Sequence, residues 1–526
     1  MGRQGSTAGL RDAVTYGELI LTALRRFPDR VAFQQDDRSL TYRQTADLLA
    51  RWITLFTQRG LKPGQGIGIL SSNRPEVWLG QSATVMAGGR YTALHPLGSL
   101  DDHRYACDEA ELRFLLVDPA YAERAARLLE ATSAVEAVFT FGTSDVGEDI
   151  TRLAAEVTPA PLTPGPHGPD DIAWLLYTGG TTGVPKAAML PERAIAQMVQ
   201  SVLTGWDLPR EMRYLACAPI SHAAGMLTTP TLLRGGTVIL HRAFDPGRWL
   251  ATVAAERVTL SLLVPTMIYA VLDHPALAST DLSSLQTVIY GASPMSPTRM
   301  AEALHRIGSV FSQLYGQTEC AGLATALWRA EHDRHDLHRL TSCGKPITGV
   351  RVTILDDLGQ PVPDGQPGEI CVQGPSVMLG YWKQPELTTA ALSDGWLRTG
   401  DIAIRDAEGF FYIVDRKKDM IVSGGFNIFP REVEDVLTAH AAVSNVAVIA
   451  VPDDRWGEAV KALVVTKPGA VVTAEEVIQL VRDKKGPVYA PKSVEFLEAL
   501  PLTPVGKADK RALRARYWAG QTRNVH

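Results

Sequence analysis

Tyr177-Thr178-Gly179-Gly180-Thr181-Thr182-Gly183-Val184-Pro185-Lys186 follows an apolar run, Ile172-Ala173-Trp174-Leu175-Leu176. The apolar run predicts a buried strand, the glycines and hydroxyls a loop, and a helical pattern from Pro191 a helix beyond it. Glycines let a backbone turn tightly, so that main-chain N–H groups converge on one anion. Gly179, Gly180 and Gly183 supply that freedom, Thr178, Thr181 and Thr182 add hydroxyl donors, and Lys186 adds a full charge. Such a loop suits the phosphates of a nucleotide. It differs from the common P-loop, because Pro185 stands where a glycine should precede the lysine.

The rest of the chain narrows the setting. At 526 residues it is long enough for more than one domain. A net charge of -5 gives no reason to expect nucleic acid or an anionic membrane as a partner. The cysteines, Cys107, Cys217, Cys320, Cys343 and Cys371, form no CxxC pair, which argues against a disulfide framework or a cysteine zinc site and fits a reducing compartment. Residues 1–12 are polar, without the apolar core of a signal peptide, and no run of 18 apolar residues predicts a membrane span. A cytoplasmic protein, monomeric or homodimeric, is the expectation.

Upstream of the loop, helices over 16–26 and 42–59 flank a short strand at 31–33. Gly66-Ile67-Gly68-Ile69-Leu70 opens another strand, and its glycines, lying at the strand's start, read as structural rather than as a dinucleotide fingerprint. Strand and helix patterns alternate to about residue 155, as in a parallel α/β sheet, and a proline-rich linker spans 158–169. From 172 to 316 the alternation is regular. Ligands collect at the carboxyl ends of strands in open α/β sheets, and nearly every strand exit here is small, polar or titratable. These exits carry Thr178 to Lys186, then Pro219-Ile220-Ser221-His222, Gly291-Ala292-Ser293, and Tyr315-Gly316-Gln317-Thr318-Glu319. Residues 341–415 change to short β runs with Gly and Asp turns, predicting a small β-barrel or sandwich. A charged run at 415–419 precedes an α+β tail.

In their order, 177–186, 315–319, Leu397-Arg398-Thr399-Gly400-Asp401, Asp415-Arg416 with Ser423-Gly424-Gly425, and Pro501-Leu502-Thr503-Pro504-Val505-Gly506-Lys507 resemble the motifs of the acyl-adenylate-forming superfamily. That superfamily includes acyl-CoA synthetases, firefly luciferases and peptide-synthetase adenylation domains, and the resemblance runs from about residue 15 to 518. It implies a large N-terminal α/β domain of parallel sheets plus the small β-barrel, here 1–417 with subdomains near 1–165, 170–340 and 341–415. A small mobile α+β domain, 418–526, follows. It also implies two steps: a carboxylate attacks the α-phosphate of MgATP, giving acyl-AMP and pyrophosphate, and a thiol, usually that of CoA, takes the acyl group.

The residues support this independently. Lys507 stands ahead of a helix whose first turn holds Lys510 and Arg511; cations are disfavoured at a helix N-terminus, so crowding them there makes sense if an anion docks among them. By resemblance Lys507 stabilises the charge that builds at the α-phosphate. Glu319, beside Thr318, is implied to bind Mg²⁺, a hard cation that prefers oxygen ligands. Asp401 is placed to accept the ribose hydroxyls, with Arg416 opposite. Gly291, Ala292, Ser293, Gln313, Tyr315 and Gly316 are implied to form the adenine slot. By resemblance Lys418 occupies the hinge position, and Ser423, Gly424 and Gly425 are implied to line the path of the pantetheine arm. His222 is where the family places a histidine guarding the acyl pocket. His332, His335 and His338, by contrast, read as solvent-exposed loop residues.

Three positions depart from the family pattern: Gly179 replaces Ser, Ala187 replaces Gly, and Ser221 replaces an aromatic residue. No acid lies in 219–225 to bind an α-ammonium group, which argues against an α-amino acid. The uncharged lining (His222, Met226, Val264, Gly291, Tyr315, Gly316) leans toward an aryl or modest-length acid. The acceptor stays open between CoA and a carrier protein or other nucleophile. Intact Lys507, Glu319 and Asp401 argue against a non-catalytic nucleotide-binding homologue.

Overall fold

The computed structural model describes residues 13–178, 185–416, 419–423, 426–453, 456–503 and 508–518, and of Arg416 and Asn427 only the backbone. The helices Tyr16–Arg26 and Tyr42–Gln58 each start from a threonine whose hydroxyl accepts a backbone N–H while the Glu or Gln three residues on reciprocates. Between them run β1 (Val31–Gln35) and β2 (Arg38–Thr41). Next come β3 (Gly66–Leu70), β4 (Arg90–Leu94), β5 (Leu112–Val117), β6 (Ala137–Thr140) and β7 (Glu148–Asp149). The hairpin β8 (Ile172–Thr178) and β9 (Lys186–Pro191) follows. The next strands are β10 (Arg213–Ala216), β11 (Thr237–Leu240), β12 (Leu260–Leu263), β13 (Thr287–Gly291) and β14 (Phe311–Tyr315), with edge pieces β15 (Thr325–Leu327) and β16 (Lys345–Pro346).

Two large sheets result. One has seven strands in the order β7-β6-β5-β3-β4-β8-β9, and the other nine, β16-β15-β14-β13-β12-β10-β11-β1-β2. Their central strands are parallel and mostly apolar, with Arg90, Thr92, Arg213 and Ser261 among the exceptions, as expected for sheets covered on both faces. Every residue of β3 is buried, so its glycines are structural, as their position predicts. The helix Pro75–Met86 is buried at every residue and packs on β1 of one sheet and on β3 and β4 of the other. That explains its lack of a polar face.

Two features differ from the sequence reading. A strand intervenes between the phosphate-type loop and its helix: Lys186 opens β9, which pairs antiparallel with β8 and sets Lys186 opposite Thr178, and the helix Glu192–Gly205 begins after Pro191. Ala187-Ala188-Met189-Leu190 carries no β-branched residue, so propensity did not mark it as a strand. In addition, the strand exits from 172 to 316 belong to two sheets rather than one. β8 joins the first through Tyr91↔Trp174, and β1 crosses to the second through Phe33↔Val238. Alternation of elements gives their local order, but long-range pairing decides which sheet each strand enters.

An antiparallel sheet follows, made of β17 (Arg351–Leu355), β18 (Gly368–Gln373), β19 (Leu392–Ser393), β20 (Trp396–Arg405) and β21 (Phe411–Arg416). The tail has its own sheet and core, with β22 (Ile421–Ser423), β23 (Phe426–Ile428), β24 (Val443–Asp453), β25 (Gly457–Thr466) and β26 (Ser493–Phe496). The helices Pro430–Thr438, Ala474–Lys485 and Lys510–Ala515 pack with them. The fold is α/β with a small α+β C-terminal unit. Among the described residues no helix is long and apolar enough to cross a membrane.

Candidate active site

Lys186 and Glu319 meet at the exits of β8–β9 and β14. Lys186 Nζ lies 3.5 Å from Glu319 Oε1 and 3.9 Å from the centre of the Tyr381 ring. It also donates to the Tyr381 hydroxyl, which in turn donates to Glu319 Oε1 at 2.8 Å. Burial, with the Glu319 carboxylate beside it, pushes the Tyr381 hydroxyl far above its ordinary pKa, so the phenol keeps its proton. Tyr381 arrives on a strap that runs along β9: Leu379 N–H donates to Met189 O, Met189 N–H to Gly380 O and Trp382 N–H to Ala187 O, each at 2.9 Å. Thr318 opens the single turn that presents Glu319, and Met378 N–H donates to Glu319 O at 2.9 Å.

Asp401 on β20 comes to the same exit of β14. The Tyr315 hydroxyl and Gln317 Nε2 both donate to Asp401 Oδ2 at 2.7 Å, and Gln317 Nε2 also donates to Thr399 O at 2.9 Å. Arg416 stands opposite Asp401 in the β20–β21 ladder. Burial next to Asp401 raises the Tyr315 hydroxyl well above its usual pKa, keeping it a donor. The small residues beside it are required by close backbone approach. A Cβ at Gly291 would meet Leu314 O at 2.3 Å, and one at Gly316 would meet Gly322 O at 2.3 Å. Ala292 has a φ of 64° and Ser293 follows it. Gln313 Oε1 is buried with no hydrogen-bond partner among the described residues.

His222 lies at the exit of β10, its Nδ1 2.9 Å from Ser221 Oγ. Its ring meets that of His95, at the exit of β4, edge-on at 4.7 Å between centres. The pair therefore joins the carboxyl edges of the two sheets. Burial, reinforced by His95, holds His222 down at about 3, a neutral imidazole at any physiological pH.

Ser423 is buried at the end of β22, opposite Phe426 and Gly457. Lys510 corrects the reading of the last helix as an open cationic terminus, since its Nζ pairs with Glu434 at 2.8 Å. Burial would lower this ammonium, but Glu434, Asp415 and Asp419 raise it above its ordinary pKa. The Asp509 side chain caps the helix at Ala512 N. His332 corrects another expectation: it is buried, with Nε2 2.9 Å from the Tyr290 hydroxyl and Nδ1 2.8 Å from Trp328 O, whereas His335 and His338 are exposed. Gly179, Gly180, Thr181, Thr182, Lys418, Gly424, Gly425, Lys507 and the Arg416 side chain lie outside the described residues.

Tyr381, Gln317 and His95 were not singled out by the sequence reading. Gln317 sits inside a quoted motif, Tyr381 carries only the signal of a glycine followed by two aromatics, and His95 is a strand-exit residue before Pro96.

Among the described residues no three His, Cys, Asp or Glu side chains cluster for a metal. Glu319, a single carboxylate beside a lysine, fits a Mg²⁺ that takes most of its oxygens from phosphates and water.

The AMP-binding enzyme family matches residues 21–382, and the AMP-binding enzyme C-terminal domain matches residues 432–507. A medium/long-chain-fatty-acid–CoA ligase of Mycobacterium tuberculosis is 44% identical, covering 98% of this chain and 92% of its own. A feruloyl-CoA synthase of an Amycolatopsis species is 39% identical over 94% and 97%. Among solved structures, an amide bond synthetase from Marinactinospora thermotolerans superposes with a TM-score of 0.88 at 35% identity, covering 95% of this chain and 99% of that one. ATP-bound MatB from Rhodopseudomonas palustris superposes with 0.87 at 29% identity over 96% and 99%. The chain belongs to the AMP-binding enzyme superfamily, the AMP-forming ligases of the acyl-CoA synthetase type.

Proposed function

We propose that the protein joins an uncharged-tail carboxylic acid, aryl or of modest chain length, to the thiol of CoA at the expense of ATP. A carboxylate oxygen bonds to the α-phosphorus as the bond to pyrophosphate breaks; the CoA sulfur, having lost its proton, then bonds to the acyl carbon as AMP leaves. The reading is carried by the convergence of Lys186, Tyr381 and Glu319 with the Tyr315–Asp401 pair at one strand exit. Lys186 and the loop ahead of it would hold the leaving β- and γ-phosphates, with Thr318 beside them. Glu319 would hold Mg²⁺, which when bound neutralises phosphate charge. Asp401, oriented by Tyr315 and Gln317 and faced by Arg416, would take the ribose hydroxyls, and the backbone of 291–293 would line the base with Gln313 and Gly316 near it. Lys507 would work on the α-phosphate as charge develops there. Rotation at Lys418 would then withdraw Lys507 and bring Ser423, Gly424 and Gly425 to the thiol. Relatives named for fatty-acid and feruloyl substrates support an acid with an uncharged tail, as does the absence of any Asp, Glu, Lys or Arg in 219–225.

A second acceptor, an amine, is supported by the likeness to the amide bond synthetase; a carrier-protein thiol would use the same glycines as CoA. Acid-dependent exchange of labelled pyrophosphate into ATP tests the adenylation half. Exchange that needs no acid, or none with any aryl or medium-chain acid, overturns it.

A further inference from the structure

The loop that carries His222 is held from the other sheet. In its own sheet β10 is paired only as far as Ala216↔Leu240, followed by the bond from His241 N–H to Ala216 O. Beyond that point Asn73, at the exit of β3 in the seven-stranded sheet, takes over. Its Nδ2 donates to Ala218 O at 2.7 Å, and its Oδ1 accepts the Ile220 N–H at 2.8 Å. An amide offers a donor and an acceptor side by side, so one side chain serves the loop as a neighbouring strand would. Only one orientation of the amide satisfies both groups.

Asn73 is itself fixed, being 4% exposed, with its backbone carbonyl accepting Gln35 Nε2 at 2.7 Å. Its chain neighbours are tied down as well, Ser72 Oγ to Asp118 Oδ2 at 2.7 Å and Arg74 Nε to Glu76 at 2.9 Å. His222 follows two residues after Ile220, its N–H donating to Pro219 O at 3.1 Å, so the clamped segment sets where the imidazole lands against His95.

We propose that Asn73 is a positioning residue for acid selection: by clamping Ala218 and Ile220 it fixes the loop through which His222 shapes the acid site. This rests on reading that loop as a wall of the acid pocket. Nothing in the phosphate cluster of Lys186, Tyr381 and Glu319 bonds to Asn73, so its effect should fall on the acid and spare ATP.

The test compares the protein with Asn73→Ala, His222→Ala and the double variant, using hydroxamate formation from benzoate and from octanoate. The ratio of kcat/KM for the two acids does not depend on the fraction of folded enzyme. Each single variant is expected to shift that ratio about tenfold in the same direction, as loss of a buried hydrogen bond does. KM for ATP should stay within about twofold, and the double variant should shift no further than His222→Ala alone. Asn73→Asp, which keeps the shape and the acceptor but loses the donor to Ala218, gives the same readout if the alanine variant does not fold. An Asn73 variant that slows both acids equally, or a double variant whose shift is the product of the single ones, overturns the proposal. His222→Ala without any change in the ratio overturns the reading of the loop itself, whatever Asn73 does.

Discussion

Lys186 and Glu319 approach to 3.5 Å with the Tyr381 hydroxyl bonded to both. One residue begins a strand, the other sits in a single helical turn, and the tyrosine comes from a strap along the strand edge. A cation and a carboxylate are thus kept together by a neutral hydroxyl.

Tyr381→Phe keeps the ring under the ammonium but leaves Glu319 without its hydroxyl donor. Adenylation is expected to slow by about tenfold at low Mg²⁺, as an unsatisfied buried acceptor costs roughly 1–3 kcal/mol, and to recover partly at high Mg²⁺. A Mg²⁺ titration of pyrophosphate exchange checks this; an unchanged Mg²⁺ requirement would show that Tyr381 only packs.

Tyr315→Phe removes a donor to Asp401 Oδ2 and leaves that of Gln317 in place. KM for ATP should rise about tenfold, with kcat changed less, and 2′-deoxy-ATP should lose its disadvantage in the variant. Steady-state kinetics with both nucleotides decide it. An equal penalty for the two nucleotides in wild type and variant would separate Asp401 from the ribose.

Lys507→Ala should slow adenylation by at least ~10²-fold, as loss of a transition-state charge donor does, and spare thioester formation from pre-made acyl-AMP. Gly425→Leu should do the reverse. Half-reaction assays measure each step. Equal loss in both halves for Lys507→Ala would contradict a C-terminal domain that alternates between the steps.

His332 couples stability to pH. Burial lowers it to about 4, below its ordinary value near 6.5, so the unfolded chain takes up a proton that the folded one refuses. The stability held by the neutral ring is whole above about pH 6.5 and is lost as pH falls toward 4. His332→Gln should flatten urea-derived stability against pH across that window by about 1 kcal/mol per pH unit. An unchanged slope would show that other groups carry it.

Much of the fold was legible because hydrophobic patterning marks strands locally. β3 and β8 fall where the apolar runs put them, and Gly66 and Gly68 proved structural. What local pattern could not carry was partnership across the chain. β9 reads as weakly patterned sequence, and β1 gives no sign that it crosses to β11. In the site, Lys186, Glu319 and Tyr315 were visible because charge and glycine mark strand exits, whereas Asp401 lies inside β20 and came with the family resemblance. Tyr381 and Asn73 act through geometry alone, one on a strap and one as an amide that imitates a strand edge, and neither residue type is unusual at its position. Lys510 misled for the converse reason: its neutralising partner, Glu434, lies on a different helix.

Two-step ligation through acyl-AMP fixes which products must appear. The most direct measurement is a product balance with ATP, CoA and a panel of aryl and medium-chain acids. AMP, pyrophosphate and acyl-CoA are expected in equal amounts, with turnover that requires both acid and CoA. ADP and inorganic phosphate as products, or AMP formation that CoA never accelerates, would contradict it.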